Sequence, residues 1–554
     1  MYASFSRSSK TRLAALSGAI ALALVAGSAQ AQVTQSAERK NINRVGHTDL
    51  QGRPSYQPNV IQYPDGRTIL FVGMHSGNPR GQVGGCRNNT LPNPLNGGAC
   101  ANNGTMLIDV TNPNAPVEKF LIPAPDGGQA QMVRMCLGSD LPSGTPGHVY
   151  LQRNVQGGAQ AGYEVWDVTD VTAPTLASAI RNLRSPHKQW WECKTGITYA
   201  PGSKAANFAP NPPPTVWRQS QAMLVLDWSN PNATPTVLRT FGLPGGQPGA
   251  TGTTPAGLHG AISAHEHPNA AQSLARGRTA DDIIGNRIYT AWGVGDDGVM
   301  TIIDRKKLLP PPWGTWVGNP DLPAEGDLIG PSSPTVGYYL MSPDQGGHTS
   351  MPVFGMKPPS YQKFNEFATR DIVLLSSEAT ADGKDGRCNE SPHWTFVVDV
   401  TVENSMTSPP GTRVEHDPYH GPMGLSTLMV SPTFGERYPR GNYCARGARF
   451  GVHSSEENFT NPTYGKLTAI AYFNGGVRVY DIREPQSPVQ VAFYVPEANA
   501  NTSNDGYMTN NVEIDNRGYI YVVDRNGAGM DILQMFGCAK QIGDTGSGSC
   551  PPIN

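Results

Sequence analysis

Short apolar runs of strand length punctuate this chain, and many finish alike. An aspartate closes the run, Val, Ile or Trp often follows, and then comes a polar turn that often holds proline. The copies are residues 105–113 (TMLIDVTNP), 163–170 (YEVWDVTD), 223–231 (MLVLDWSNP), 300–304 (MTIID), 395–401 (TFVVDVT) and 477–485 (VRVYDIREP), with a shorter seventh at 529–533 (GMDIL). Most copies follow a second apolar run, at 68–75, 148–153, 287–292, 371–378, 467–474 and 519–525. These runs are rich in Val, Ile and Tyr and bounded by Gly, Asn and Pro, which predicts strands. Past the aspartate the turn leads to another strand, as at 116–122 and 488–494. A first strand precedes each pair, as at 59–63 and 511–515.

Each unit therefore holds four antiparallel strands, at a spacing of roughly 50 to 95 residues. That pattern predicts an all-β chain folded as a β-propeller of seven blades. A lone four-stranded sheet buries neither face, whereas sheets stacked in a closed ring bury both and leave no open end. The propeller is expected over residues 56–537, after an N-terminal segment (32–55) and before a tail (538–554). Uneven spacing marks insertions at 310–347 and 401–443, with shorter excursions at 76–104, 201–214 and 244–255. Loops of this length are usually functional or mobile. The recurring Asp109, Asp167, Asp227, Asp304, Asp399 and Asp481 read as turn-capping groups, because the same carboxylate in unit after unit fits a structural task.

The strand–Asp–Val–Thr–x–Pro phrase resembles the LVIVD-repeat family of exported bacterial β-propellers, over about residues 56–535. The resemblance implies the fold and leaves activity open, since that family is functionally scattered. A more distant resemblance is to the selenium-binding protein and methanethiol oxidase group, propellers with channel histidines. It implies copper chemistry only as a lead, since no motif here matches that group closely.

Composition adds the compartment. Lys10 and Arg12 precede an apolar run at 13–27 that is too short to span a bilayer, and 29–31 (AQA) is a small-residue cleavage site. This predicts Sec-type export to the periplasm or beyond, with cleavage after Ala31 and no membrane anchor. The net charge of −2 gives no reason to expect nucleic acid. The 63 glycines and 49 prolines suit a turn-rich chain. Eight cysteines, an even number in an exported protein, predict disulfides. Cys86 with Cys100 and Cys538 with Cys550 are the nearest pairs; Cys136 with Cys193 and Cys388 with Cys444 are the pairs that then remain. No CxxC supports a thiolate zinc site or a redox pair. No GxSxG, Walker loop or HExxH supports a hydrolase, a nucleotide cofactor or a zincin.

In a propeller the start of strand one and the end of strand two of every blade share one mouth of the central channel. By this rule His265, His348 and His453 stand at inner-strand starts and are the expected metal ligands. His75 and Glu378, at second-strand ends, would serve as a fourth ligand or general base. Imidazoles with one carboxylate suit Cu, Fe, Mn or Zn. His265 and His267 would share a strand face, and His259 could replace either. The alternative for these histidines is hydrogen bonding to neighbouring loops. Arg449 and Arg525, with Arg446, would clamp an anionic substrate; the alternative is pairing with Glu456, Glu457 or Asp524. His416 and His420 have i, i+4 spacing, but Pro418 between them argues for a loop. Trp190 and Trp191 read as core packing beside a disulfide.

Two functional classes follow. One is a metal-dependent propeller acting on a small molecule, with oxidoreduction as its reaction. The other is a non-catalytic scaffold for a protein or polysaccharide, in which the histidines are structural.

Overall fold

The structure is a computed structural model. It describes residues 38–553 apart from 78–80, 82, 87–89, 205–215, 274–281, 296, 323–326, 331, 363–367, 381–387, 389–392, 404–420, 433–441 and 504–505. The export segment, His416 and His420 lie outside the described residues.

Val- and Ile-rich strands pair antiparallel throughout and form seven blades among the described residues. Blade 1 runs, from the channel outward, through Ser55–Gln62, Thr68–Met74, Thr105–Asp109 and Val117–Ile122. Blade 2 is Val133–Leu137, Val149–Val155, Gly162–Asp167 and Thr175–Arg181. Blade 3 has its inner position shared by two short strands, Leu183–Arg184 and Trp190–Trp191, both paired with Ile197–Lys204, which is followed by Ala222–Asp227 and Thr236–Phe241. Blade 4 is Leu258–Ser263, Arg287–Trp292, Val299–Asp304 and Thr335–Leu340. Blade 5 is Gly347–Met356, Arg370–Ser377, Thr395–Asp399 and Met423–Leu428.

Blade 6 contains Ser454–Ser455, Leu467–Ala471, Val477–Asp481 and Val489–Val495. The N-terminal Glu38–Lys40 adds a fifth strand to its outer edge. Blade 7 takes only three strands from the C-terminal part, Thr509–Ile514, Ile520–Asp524 and Met530–Met535. Its outer strand is Ile42–Thr48, from the other end of the chain. Residues 32–55, expected as a separate segment, thus contribute the strand that closes the ring.

Apolar side chains fill the spaces between blades. At the closing junction Leu70, Val72 and Met106 of blade 1 meet Tyr521, Val523 and Ile532 of blade 7, all buried. Leucine or valine burial of this kind stabilises by roughly 1.5–3 kcal/mol per side chain. One continuous cluster links blades 3 to 6.

The recurring aspartates cap turns, as the sequence implies. Asp109, Asp167, Asp227, Asp399 and Asp481 each accept a hydrogen bond from the backbone N–H two residues on, at 2.9–3.1 Å. Asp304 instead caps a one-turn helix, Arg305–Leu308, through the N–H of Lys307. The seventh copy differs. Asp531 lies near the start of its strand, not the end, and accepts from His47 and Arg44 of the closing strand.

Two expected insertions are partly strand. Thr335–Leu340 lies within 310–347 and Met423–Leu428 within 401–443, and each is the outer strand of its blade. The excursion at 76–104 contains a hairpin, Thr90–Asn93 with Ala99–Asn102. The stretch at 201–214 begins inside Ile197–Lys204.

All four disulfides are formed: Cys86–Cys100, Cys136–Cys193, Cys388–Cys444 and Cys538–Cys550. They are consistent with an extracellular or periplasmic protein. No described helix is long and apolar enough to cross a membrane.

Candidate functional site

The innermost strands start at one end of the channel, and their first residues crowd together. Tyr56, His187, His259, His348, His453 and Asn510 come from blades 1, 3, 4, 5, 6 and 7, and all are buried. The second strands return to the same end and deliver His75, Glu378 and Arg525. Neighbouring rings stand close: His187 to His259 at 4.5 Å, His259 to His348 at 3.8 Å and His348 to His453 at 4.2 Å between centroids.

Backbone carbonyls orient these rings. His259 Nδ1 lies 2.9 Å from the carbonyl oxygen of His348, and His453 Nδ1 lies 2.7 Å from that of Asn510. A carbonyl only accepts, so each Nδ1 carries the hydrogen and each Nε2 presents a lone pair. This outer support is what metal-ligating imidazoles ordinarily have. The Nε2 atoms of His187 and His259 face each other at 2.8 Å. His348 Nε2 is buried without a hydrogen-bond partner. It lies 3.9 Å from Glu378 Oε2, and His453 Nε2 lies 3.7 Å from Glu378 Oε1. His259, His348 and Glu378 each offer a ligand atom within 4.8 Å of the others.

Burial keeps the imidazoles neutral. It pushes His187 down to about 3, with help from Lys188, and holds His259, His348 and His453 well below the usual histidine range. His75 is pushed down to about 3 by burial and then by Arg525, whose Nη2 donates to His75 Nε2 at 2.7 Å. Arg449 Nη1 donates to Glu378 Oε1 at 3.0 Å and to the carbonyl of Ala379 at 2.9 Å. Neutral imidazoles, one of them with an orphaned nitrogen, beside a carboxylate are a donor set that fits a first-row transition ion.

His348, His453, His75, Glu378, Arg449 and Arg525 are therefore brought together at the expected mouth. His265 is not. The inner strand of blade 4 begins at Leu258, so His259 holds the position assigned to His265. His265 follows the strand, in a short 3-10 turn at Ala264–Glu266. Roughly 13 Å of strand separates Ser263 from His259. There the neighbours of His265 are Glu192 and Arg305, a buried bidentate pair with contacts of 2.7 to 3.2 Å. His267 packs among Phe354, Phe459 and Tyr464. Arg446 pairs with Glu38 of the N-terminal strand.

Two residues of the cluster, His187 and Tyr56, carry no signal of strand alternation. His187 precedes a two-residue strand. Tyr56 is recognisable only by aligning inner-strand starts across blades. Its hydroxyl lies 3.2 Å from His453 Nε2, and burial raises its ionisation well above the usual range.

Below the cluster the channel is plugged. Lys188 Nζ donates to Thr349 Oγ1 at 2.8 Å and to Glu457 Oε1, and Glu457 Oε2 accepts from Arg134. The other mouth opens beyond this plug as a cleft of about 490 Å³.

No family model matches the chain, and no curated protein matches it in sequence. Among solved structures it is similar to the β-propeller domain of Cps50 (Swd1) from Myceliophteria thermophila, at 9% identity over 90% of this chain and 100% of that one, with a TM-score of 0.40. It is also similar to the Dos1 propeller, at 11% identity over 89% and 96% of the two chains and a TM-score of 0.40. A protein from Lactobacillus plantarum shows 9% identity over 78% and 91%, with a TM-score of 0.42. Likenesses at this level say nothing about activity or partners.

Proposed function

We propose that this chain is an exported propeller that holds one transition-metal ion at the histidine end of its channel. In this reading it acts there on a small anionic molecule, by oxidoreduction. The observation that carries the reading is the convergence of His259, His348 and Glu378, with His348 Nε2 buried and unpartnered. A buried ring nitrogen left without a hydrogen-bond partner forfeits about 1–3 kcal/mol unless something satisfies it. His187 and His453 extend the donor set. A bound Cu or Fe ion would supply one-electron chemistry, and Zn or Mn would supply Lewis acidity or a weaker redox couple.

The chain's own groups have separable roles. The carbonyls of His348 and Asn510 fix the tautomers of His259 and His453. Arg449 orients Glu378, and Arg525 orients His75; both guanidiniums place positive charge where an anionic substrate would arrive. The Tyr56 hydroxyl stays protonated and offers a hydrogen bond. The plug of Lys188 and Glu457 keeps solvent from entering from below. The LVIVD-like repeat phrase and the N-terminal export signal complete the reading: a periplasmic or secreted protein that acquires its metal after export.

The test is elemental analysis of protein purified from its native compartment without a metal-affinity tag, and again after dialysis against Cu, Fe, Mn or Zn. About one equivalent is expected. It should be lost when His259 and His348 are both changed to alanine. Absence of stoichiometric metal under every loading condition would sink the reading and favour the scaffold for a protein or polysaccharide.

A further inference from the structure

The opposite mouth is built from different chemistry. Its cleft is lined by the far ends of inner strands from six of the seven blades. Carboxyl groups outnumber guanidiniums there by five residues to two, and the pairings leave a surplus. Glu457 is matched by Lys188 and Arg134, and Asp515 by Arg517 at 2.8 Å. Glu513 is 2% exposed, and the cations that face it, Arg134 and Lys188, are both already engaged with Glu457. Its Oε1 accepts from Asn59 at 3.3 Å, and its Oε2 has no hydrogen-bond partner. Glu266, on the blade 4 side, is faced by the backbone N–H and the charge of Lys194, but its Oε1 is buried without a hydrogen-bond partner. Burial, and after it the charge of Glu192 on Glu266 and of Glu456 on Glu513, raises both carboxyls, Glu266 to about 7 and Glu513 well above the usual range.

The walls between these carboxyls are apolar and aromatic, with Ile61, Met135, Trp190 and Phe459 among them. Arg134 already lies over the Trp190 ring at 4.6 Å, so one cation is accommodated here on an aromatic face. Among the described residues the one group of ligand atoms close enough to chelate an ion lies at the histidine end. The carboxyls of this cleft are spread too widely to share a single metal ion.

We propose that the cleft binds an organic polyamine: a ligand of ammonium groups joined by methylene segments, one terminal ammonium on Glu513 and the other on Glu266. Each terminal ammonium supplies the donors that the orphaned carboxyl oxygens lack, and the methylene segments lie along the apolar wall. This site does not depend on whether the other mouth holds a metal.

Calorimetric titration with spermidine tests it, with 1,4-diaminobutane, butylamine, calcium chloride and sodium phosphate as comparisons. Spermidine is expected to bind with one-to-one stoichiometry, the diamine more weakly and butylamine more weakly still. Glu513→Gln and Glu266→Gln should each weaken spermidine by about tenfold, the loss of one charged hydrogen bond. Glutamine mimics the protonated carboxyl, so these variants should keep the wild-type circular dichroism and melting curve, which shows that the loss is one of binding. Spermidine affinity unchanged in the double Gln variant would overturn the proposal. So would no heat with spermidine, or tighter binding of calcium or phosphate than of any amine.

Discussion

The two ends of the channel are built from one ring of inner strands, yet they carry opposite kinds of donor. At one end inner strands begin with imidazoles, two of which, His259 and His453, turn their Nδ1 hydrogens to backbone carbonyls. At the other the lining carries five carboxyl residues, two of which, Glu513 and Glu266, have a buried oxygen without a hydrogen-bond partner. The channel is thus polar in the directional sense, with Lys188, Glu457 and Arg134 as the partition. Side-chain identity at the strand ends, more than the fold, decides what each mouth can bind.

Several variants would break or sharpen that contrast. The largest effect is expected from changing both His259 and His348 to alanine. Metal affinity should fall by at least about a hundredfold, since two of the converging donors are lost and only His187, His453 and Glu378 remain. Spermidine binding at the other mouth should stay within twofold; a coupled loss at both ends would show that the partition does not separate them. Glu457→Ala removes the partition and leaves Lys188 and Arg134 buried without their hydrogen-bonded carboxylate, with Glu513 alone beside them. Breaking a buried pair in this way costs about 3–5 kcal/mol, to be read from urea denaturation. A cost below 1 kcal/mol would mean that water already screens the plug.

The pH dependence of stability should have opposite signs at the two ends. His75 and His187 are pushed from 6.5 to about 3 in the folded, metal-free protein. Between those values the unfolded chain binds more protons, so stability falls as pH drops from about 6.5 towards 3. Each group contributes a slope of about 1.4 kcal/mol per pH unit. Glu456 and Glu266 are raised from 4.5 to about 8 and about 7. Their folded forms hold protons longer, so stability present below 4.5 is lost as pH rises through 7 to 8. His75→Asn should flatten the acid limb and Glu456→Gln the neutral one, in thermal melts from pH 4 to 8. The smallest effect, about 0.5–1.5 kcal/mol, is expected for Asp109→Ala, which removes a turn cap remote from both mouths. Binding at either end should be unmoved.

The repeat made the propeller legible, because strand alternation and turn chemistry are local and recur. It misplaced His265 because the segment 259–268 contains three histidines, and only pairing register shows which one begins the strand. Leu258 pairs with Trp292 and Ser263 with Ile288, so the strand ends where the sequence reading began it. The closing strand was hidden for a related reason: residues 42–48 carry no Asp-ending phrase, and their partner lies at the far end of the chain. The expected insertions concealed outer strands because Thr335–Leu340 and Met423–Leu428 are half-exposed and weakly apolar. The polyamine cleft left no motif, because its carboxyls come from separate blades.

The closing strand also sets an order in time. His47 and Asp531 pair across 484 residues of sequence, so a segment made among the first must wait for one made among the last. Blades 1 to 6 can fold as they emerge, but the ring stays an open arc, with a bare sheet edge, until that late meeting. A circular permutant that joins residue 535 directly to residue 42 through a short linker would turn this contact into a local hairpin. Completion would then no longer depend on the two ends of the chain finding each other.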